Sequence, residues 1–251
     1  MTDYLMADKT AAERQRRKDL KERFSRAAAE GLRNDEVLEL ILGYAIQKGD
    51  VKAVSSRLIE RFGGLRGVFE ASHEELMAVA GIGETTAVLI RLVKDVSKAY
   101  LKDRIIGKDA IRCTRDVLDY LDMMLSGERI EKFLAIYLNA RNEVLAVEVL
   151  HEGTINQTAV YPRKAIELAF RHNASAIIFV HNHPSGDPTP SGMDRQLTRV
   201  LDRAASAVDL IVHDHIVIGR NRHVSMREKG WIGCHNALGQ HVRLLSASEP
   251  D

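Results

Sequence analysis

Two histidines and an aspartate in the second half of the sequence are residue types that commonly bind metals. His181 and His183 lie two residues apart, directly after an apolar run that is typical of a buried strand. Because alternate residues of an extended backbone point the same way, both imidazoles can face one point. Asp194 follows at the start of the next predicted helix and supplies a carboxylate. Two neutral imidazoles and one carboxylate leave a fourth position open on Zn²⁺, so the pattern predicts a catalytic zinc site.

The same segment also has a purely structural interpretation. Ser191 and Asp194 fit the S-x-x-D pattern of a capping box, which would begin a helix without any metal. A lone H-x-H pair is also a weak metal signal. The two interpretations are compatible, because a capped first turn would aim the side chain of Asp194 in a defined direction.

The combined spacing is more specific than either part alone. H-x-H, then seven residues, then Ser, two residues and Asp match the JAMM (MPN-domain) metalloprotease signature. The chain also resembles the RadC family, closely over residues 107–233 and loosely over residues 1–106. The segments that carry this resemblance are EGTIN at 152–156, YPRKAIELA at 161–169, HNHPSGDPTPS at 181–191 and DHIVIG at 214–219.

The resemblance implies a fold that is α+β, or mixed α/β. It consists of an all-helical N-terminal domain followed by a cytidine-deaminase-like JAMM (MPN) domain. The resemblance also implies about one zinc ion per chain, held by His181, His183 and Asp194. The expected domains are a helical domain at 1–106, a JAMM domain at 107–233 and a flexible tail at 234–251.

The family further implies a glutamate at the start of an early strand, and Glu131 is the matching position. Glu148 and Glu152, near the predicted partner strand, stay as alternatives. Zinc can lower the pKa of a bound water from about 15.7 to roughly 7. Glu131 would take the water's proton and pass it to the leaving amine, and the Ser191 hydroxyl would donate a hydrogen bond to the oxyanion. The expected reaction is hydrolysis of a peptide or isopeptide bond.

A second histidine cluster, His213-Asp214-His215, falls in a predicted strand. His213 and His215 would share one face of that strand, but the local sequence offers no further ligand at a suitable spacing for a second metal. We expect Asp214 or His215 to orient a zinc ligand, as metal sites commonly require, or the group to lie at a strand edge. Asn182, on the opposite face from the two metal-binding histidines, is expected to be a hydrogen-bonding core residue.

The elements around these residues divide the chain into two parts. The first 105 residues contain no proline and predict successive helices, with a solvated helix at 8–30. Asn34 or Asp35 is expected to cap the next helix, and Asp50 and Ser72 to cap later ones. The second part mixes strands and helices. Its predicted strands cover 133–138, 144–150, 175–180 and 208–218, and its predicted helices cover 116–125, 162–169 and a segment beginning at Ser191.

The turn at Gly81-Ile82-Gly83, followed by Thr85, resembles a helix-hairpin-helix motif. Gly81 and Gly83 would let a DNA phosphate approach the backbone, and the first turn of the next helix would offer free N–H groups. A tight connection between two packed helices gives the same pattern, and Glu84 would repel a phosphate. The alternative function is therefore a DNA-binding, repair-associated module, with the JAMM domain as a scaffold or nuclease.

Composition limits the remaining function classes. Lys and Arg total 36 against 35 Asp and Glu among 251 residues, so the chain as a whole is not a basic nucleic-acid coat. Two cysteines exclude a disulfide framework. No signal-peptide pattern or bilayer-length apolar run occurs, so we expect a cytoplasmic protein without a membrane partner. The expected partners are a peptide or protein substrate and, through the N-terminal domain, DNA.

Overall fold

A computed structural model describes residues 2–47, 49–112, 114–153, 160–232, 234–235 and 241–242. The chain divides into two compact units, which we call the helical unit (Met1–Ser97) and the sheet unit (Lys98–Asp251). The division falls inside one long helix. The predicted domain boundary at 106/107 lies at the C-terminal end of that same helix.

Helices form all the regular structure described in the helical unit. They are α1 (Thr2–Ala27), α2 (Asn34–Ala45), α3 (Val51–Phe62), α4 (Leu65–Glu70), α5 (His73–Met77) and the first part of α6 (Glu84–Ile105), with a 3₁₀ turn at Ala28–Gly31. Apolar side chains spaced along α2 to α6 meet in one core, as the sequence periodicity predicts. Its fully buried members are Leu38, Leu42, Leu58, Val68, Leu76, Ala87 and Ile90.

Helix α1 is less solvated than the sequence suggests. Leu20 is only 1% exposed and belongs to a small apolar cluster with a residue of α2. The guanidinium of Arg16 donates to both carboxylate oxygens of Glu39, at 2.6 and 2.8 Å. Arg23 likewise donates to both oxygens of Glu36, at 2.9 Å each. Arg16 and Arg23 of α1 therefore pair with the two buried glutamates of α2.

Two of the three predicted helix caps are confirmed. The side chain of Asp50 accepts the N–H of Ala53, and Ser72 forms a capping box at the start of α5. The expectation for α2 was wrong, because Asn34 lies inside the helix and Arg33 precedes it. Glu36 accepts the Arg33 N–H at 3.0 Å, so a side chain inside the helix satisfies the backbone donor of the residue that precedes it.

The sheet unit is a mixed α/β fold, as predicted. Its elements are α7 (Thr114–Leu125), β1 (Lys132–Leu138), β2 (Val144–Glu152), α8 (Pro162–Arg171), β3 (Ala176–Asn182), α9 (Gly192–Ser206), β4 (Ile211–Ile218) and β5 (His223–Ser225). The strand order is β2-β1-β3-β4-β5. Strands β3 and β4 are parallel, and the other neighbours are antiparallel.

Strict alternation along β1 and β3 gives this sheet two apolar faces. Phe133 and Phe179 lie on the face covered by α8 and α9, whereas Leu134 and Val180 lie on the face covered by α7. The sheet is therefore the middle of three layers, and each face has its own core. Because His181 continues the first series, it lies on the α8–α9 face.

Little of the predicted tail at 234–251 falls within the described residues. Two short strands, β6 (Cys234–His235) and β7 (His241–Val242), pair antiparallel there. Among the helices that the structure describes, none combines the length and the apolar character needed to cross a membrane.

Candidate metal centre

The end of one strand and the start of one helix bring the predicted ligands together. His181 is the penultimate residue of β3, His183 follows that strand, and Asp194 is the third residue of α9. Because β3 is central in the sheet and α9 packs on the same face, the ligands meet at the C-terminal end of β3. His181 is completely buried and Asp194 is 5% exposed.

The ligand atoms lie within a few ångströms of one another. Nε2 of His181 is 3.0 Å from Nε2 of His183 and 3.4 Å from Oδ1 of Asp194. Nε2 of His183 is 3.5 Å from Oδ2 of Asp194. With an oxygen of Glu131 added, all four ligand atoms are within 4.8 Å of each other. The structure thus brings together the three predicted ligands and the favoured glutamate.

The capping box predicted at the start of α9 is confirmed, together with the convergence of the ligands. The Ser191 N–H donates to Oδ2 of Asp194 at 2.6 Å, and the Asp194 N–H donates to the Ser191 hydroxyl at 3.1 Å. The carboxylate is therefore held at the helix N-terminus, which aims it at the histidines. Ser191 is exposed and accepts in this box, so its own hydroxyl proton stays available to another acceptor.

Backbone contacts orient His183. Nδ1 of His183 donates to the carbonyl of Asp187 at 2.7 Å, so in the neutral ring the lone pair is on Nε2, which faces His181 and Asp194. The His183 N–H also donates to Ile218 O at 3.0 Å. The loop that follows packs tightly on Gly219, where an added Cβ would come within 2.5 Å of Gly186 O.

Burial and the neighbouring carboxylate shift the pKa values of these groups in opposite directions. Loss of solvent lowers the pKa of His181 to about 4. The hydrogen bond with Asp194 raises the pKa of His183 above its usual value, although burial opposes that rise. Burial also acts to raise the pKa of Asp194, yet hydrogen bonds from His183 and Ser191 and the charge of His181 together lower it below its usual range.

These atoms fit a divalent metal. Two imidazole nitrogens and a carboxylate present lone pairs to one another, an arrangement that only a proton or a cation makes favourable. Two ligands at about 2.0–2.1 Å from a tetrahedral zinc ion lie about 3.3 Å apart. The observed separations of 3.0, 3.4 and 3.5 Å bracket that value. His181, His183 and Asp194 would hold the ion, with Glu131 beside it.

Asn182 explains how Glu131 reaches the cluster, and its prediction as a hydrogen-bonding core residue is confirmed. It is 1% exposed and lies on the opposite face of β3 from the two histidines. Its Oδ1 accepts the Lys132 N–H at 2.8 Å, and its Nδ2 donates to Ile130 O at 3.2 Å. The residues on both sides of Glu131 are therefore fixed to the strand that carries the ligands.

The alternative glutamates lie elsewhere on the sheet. Glu148 forms a hydrogen bond with Nε2 of His172 at 3.0 Å, and Glu152 is 3.5 Å from the ammonium of Lys132. The cluster of potential ligands found among the described residues contains neither of them. Glu131 therefore occupies the position that the resemblance implies.

The prediction for the second histidine cluster is partly wrong. The register of β4 against β3 skips His213, so a bulge separates it from His215 and the two rings do not share a face. His213 instead hydrogen-bonds the side chain of Asn142. His215 is completely buried, and its Nε2 lies 2.8 Å from Nδ1 of His181. Of the two residues expected to orient a ligand, His215 makes the contact.

Sequence reasoning missed Thr198. Its hydroxyl lies 2.6 Å from Nδ1 of His215 and 2.6 Å from the carbonyl of Asp194. The available signal was its spacing, because a residue four positions after Asp194 lies on the same face of a helix.

The predicted DNA-contacting residues lie together in the helical unit, in the turn between α5 and α6 and in the first turn of α6. Gly81 has a φ of +95°, and a Cβ there would come within 2.8 Å of Val54 Cγ2, so this glycine is needed for packing. A Cβ on Gly83 would meet nothing within 4 Å. Thr85 is exposed in the first turn of α6, and Glu84 beside it forms a hydrogen bond with His73 at 2.9 Å.

Comparison with known families agrees with this architecture. Residues 111–231 match the family described as a RadC-like JAB domain, so the sheet unit has the scaffold of a JAMM-type metal-dependent hydrolase. Residues 12–88 match the family described as UPF0758 N-terminal. Together the two matches show that the chain belongs to the RadC family, as the sequence motifs predict.

Proposed function

We propose that this protein is a zinc-dependent hydrolase of the JAMM type that cleaves a peptide or isopeptide bond. The convergence of His181, His183, Asp194 and Glu131 within 4.8 Å carries the proposal. A merely structural zinc site has four protein ligands and is closed, whereas three ligands with a carboxylate beside them are the arrangement of a hydrolytic site.

Each residue has a separate task in this proposal. Bound zinc supplies a Lewis acid and a nucleophilic water near neutral pH. Glu131 accepts the proton of the attacking water and donates it to the leaving amine. This role needs a carboxylate that belongs to the cluster but does not itself bind the metal. The Ser191 hydroxyl donates its free proton to the developing oxyanion, and losing such a donor costs roughly 3 kcal/mol in acyl-transfer enzymes.

The test compares three isosteric glutamate variants. Zinc content is measured for the wild-type protein and for E131Q, E148Q and E152Q, and each zinc-loaded protein is incubated with a diverse peptide and isopeptide library. We expect about one zinc per chain in all four proteins. Turnover should be lost in E131Q alone, because Glu148 and Glu152 lie outside the cluster.

Two results would contradict the proposal. The first is a wild-type protein that binds no zinc, or one whose zinc content does not change when His181 and His183 are substituted. The second is an E131Q protein that cleaves the same bonds at the wild-type rate.

We also propose, as a second candidate function, that the helical unit contacts a DNA backbone, in line with the repair role that the family suggests. The observation that favours it is Gly83, because no neighbouring atom within 4 Å explains the lack of a side chain there. G83V should weaken a salt-sensitive gel shift of branched DNA while the protein stays folded. Gly81 is a poorer probe, since its substitution would strain α3. A shift that is unchanged in G83V would count against the contact.

A further inference from the structure

A series of short hydrogen bonds runs behind the metal centre, through two residues, Thr198 and His215, that are not ligands themselves. It begins at the carbonyl of Asp194, passes through the Thr198 hydroxyl and the ring of His215, and ends at Nδ1 of His181. The three links are 2.6, 2.6 and 2.8 Å long. Thr198 is 2% exposed, and both rings are completely buried, so water does not compete for these bonds.

The chemistry of the groups fixes the direction of every proton in this chain. A carbonyl oxygen carries no proton, so the 2.6 Å contact with Asp194 O requires the Thr198 hydroxyl to donate. The Thr198 oxygen must then accept from Nδ1 of His215. Nε2 of His215, left with its lone pair, accepts from Nδ1 of His181. The neutral ring of His181 consequently has its lone pair on Nε2.

That nitrogen is the one that faces the centre. Nε2 of His181 is the atom that lies 3.0 Å from His183 and 3.4 Å from Asp194. The opposite proton placement would point an N–H at the centre and block coordination.

We infer that Thr198 and His215 are positioning residues that hold His181 in the tautomer able to bind the metal. The inference rests on the metal site of the proposed function, but the tautomer it assigns exists in the metal-free protein. These hydrogen bonds also connect two of the predicted ligands, because they start at the backbone carbonyl of Asp194 and end at the ring of His181. Any movement of the first turns of α9 is thereby coupled to the ring of His181.

The direct test is two-bond ¹H–¹⁵N NMR on the full-length, zinc-free protein labelled at histidine. The His181 and His215 resonances are assigned with single histidine variants. We expect both rings to carry their proton on Nδ1 in the wild-type protein. In T198V, His215 loses its acceptor, so its proton should move to Nε2 and force the His181 proton onto Nε2 as well. T198S keeps the hydroxyl and should keep the wild-type tautomers.

Zinc affinity provides the second measurement, by competition with a fluorescent chelator. Loss of such an outer partner commonly weakens metal binding about 10–100-fold, and we expect a loss in that range for T198V. T198S should stay within a few-fold of the wild-type value. If Thr198 had only a structural role, T198V would lower the melting temperature without changing the tautomer of either histidine.

The possible outcomes separate this inference from the proposed function. A wild-type His181 protonated at Nε2, or a T198V protein with wild-type tautomers and zinc affinity, would overturn the inference. A wild-type protein with the expected tautomers but no zinc binding would overturn the proposed function and leave the tautomer assignment standing. The tautomers of the wild-type protein are measured without any substitution at Thr198, so the inference can still be tested if T198V folds poorly.

Discussion

Buried carboxylates in the two units are neutralised in different ways. In the helical unit, Glu36 and Glu39 are 4% and 8% exposed, and each accepts two hydrogen bonds from an arginine of α1. In the sheet unit, Asp194 is similarly buried at 5%, but among the described residues its ion-pair partners are histidines. The helical unit therefore contains the positive partners of its buried carboxylates, whereas the sheet unit surrounds its buried carboxylate with groups that can bind a metal.

This difference separates a structural use of buried charge from a functional one. A bidentate arginine binds both oxygens of a carboxylate and neutralises its charge, so no further cation is needed. A neutral imidazole offers a lone pair, so a carboxylate beside two imidazoles still lacks its positive partner. The comparison predicts that the helical unit needs its ion pairs for stability alone, whereas the sheet unit needs its acid for metal binding.

The largest expected effect is the loss of metal from the sheet unit. H183A removes one of three ligands and should reduce zinc from about one per chain to near zero, as measured by elemental analysis of the purified protein. H213A is the matched control, because His213 lies on the neighbouring strand and contacts Asn142 instead of the cluster. If the double variant of His181 and His183 kept its zinc, the ligand assignment and the comparison would both be wrong.

A smaller effect is expected from the loop that carries His183. In G219A, the new methyl would lie 2.5 Å from Gly186 O and 2.6 Å from Pro188 Cδ, so the loop must move. Zinc affinity should fall, because Asp187, which orients His183, lies between those residues. G83A is a matched control with open space around its Cβ. Equal zinc affinity in G219A and wild type would show that the loop does not position the ligand.

The smallest effect concerns the helical unit and acid. Hydrogen bonds from Arg23 lower the pKa of Glu36 to about 2 from a usual value near 4.5. Because the folded-state pKa is the lower one, the ionised group stabilises the fold fully above about pH 4.5, and this contribution is lost as the pH falls toward 2. E36Q should therefore lower the melting temperature at pH 7 by about 5 °C and flatten its pH dependence in that window.

E148Q, at a half-exposed position of the other unit, serves as the control for E36Q. Zinc content should be unchanged in E36Q. A melting curve for E36Q that matches the wild-type curve at pH 7 would contradict the view that this ion pair is structural.

Much of the fold could be predicted from the sequence, because its signals are local. Alternation in β1 and β3, proline at the start of α8 and the caps at Asp50 and Ser72 each act within a few residues. The convergence of His181, His183 and Asp194 could also be predicted, since the two histidines alternate at the end of one strand and Asp194 is fixed by its own capping box.

Long-range features were harder to predict. The contact of His215 with His181 depends on a strand 34 residues away, and the bulge at His213 appears only in the pairing of β4 with β3. The contact of Thr198 with His215 depends on the packing of α9 against β4, which no local pattern predicts. The start of α2 was predicted wrongly because Arg33, which is not a usual N-cap residue, precedes the helix, and Glu36 accepts its N–H from within the helix.

The end of β3 concentrates several tasks in three consecutive positions. His181 faces one side of the sheet, Asn182 anchors the segment carrying Glu131 on the other, and His183 returns to the first side. Inserting or deleting one residue upstream in this strand would move each of these side chains to the opposite face of the sheet. A length change there should thus abolish ligand and base placement simultaneously, whereas the same change in the 186–190 loop would spare the base.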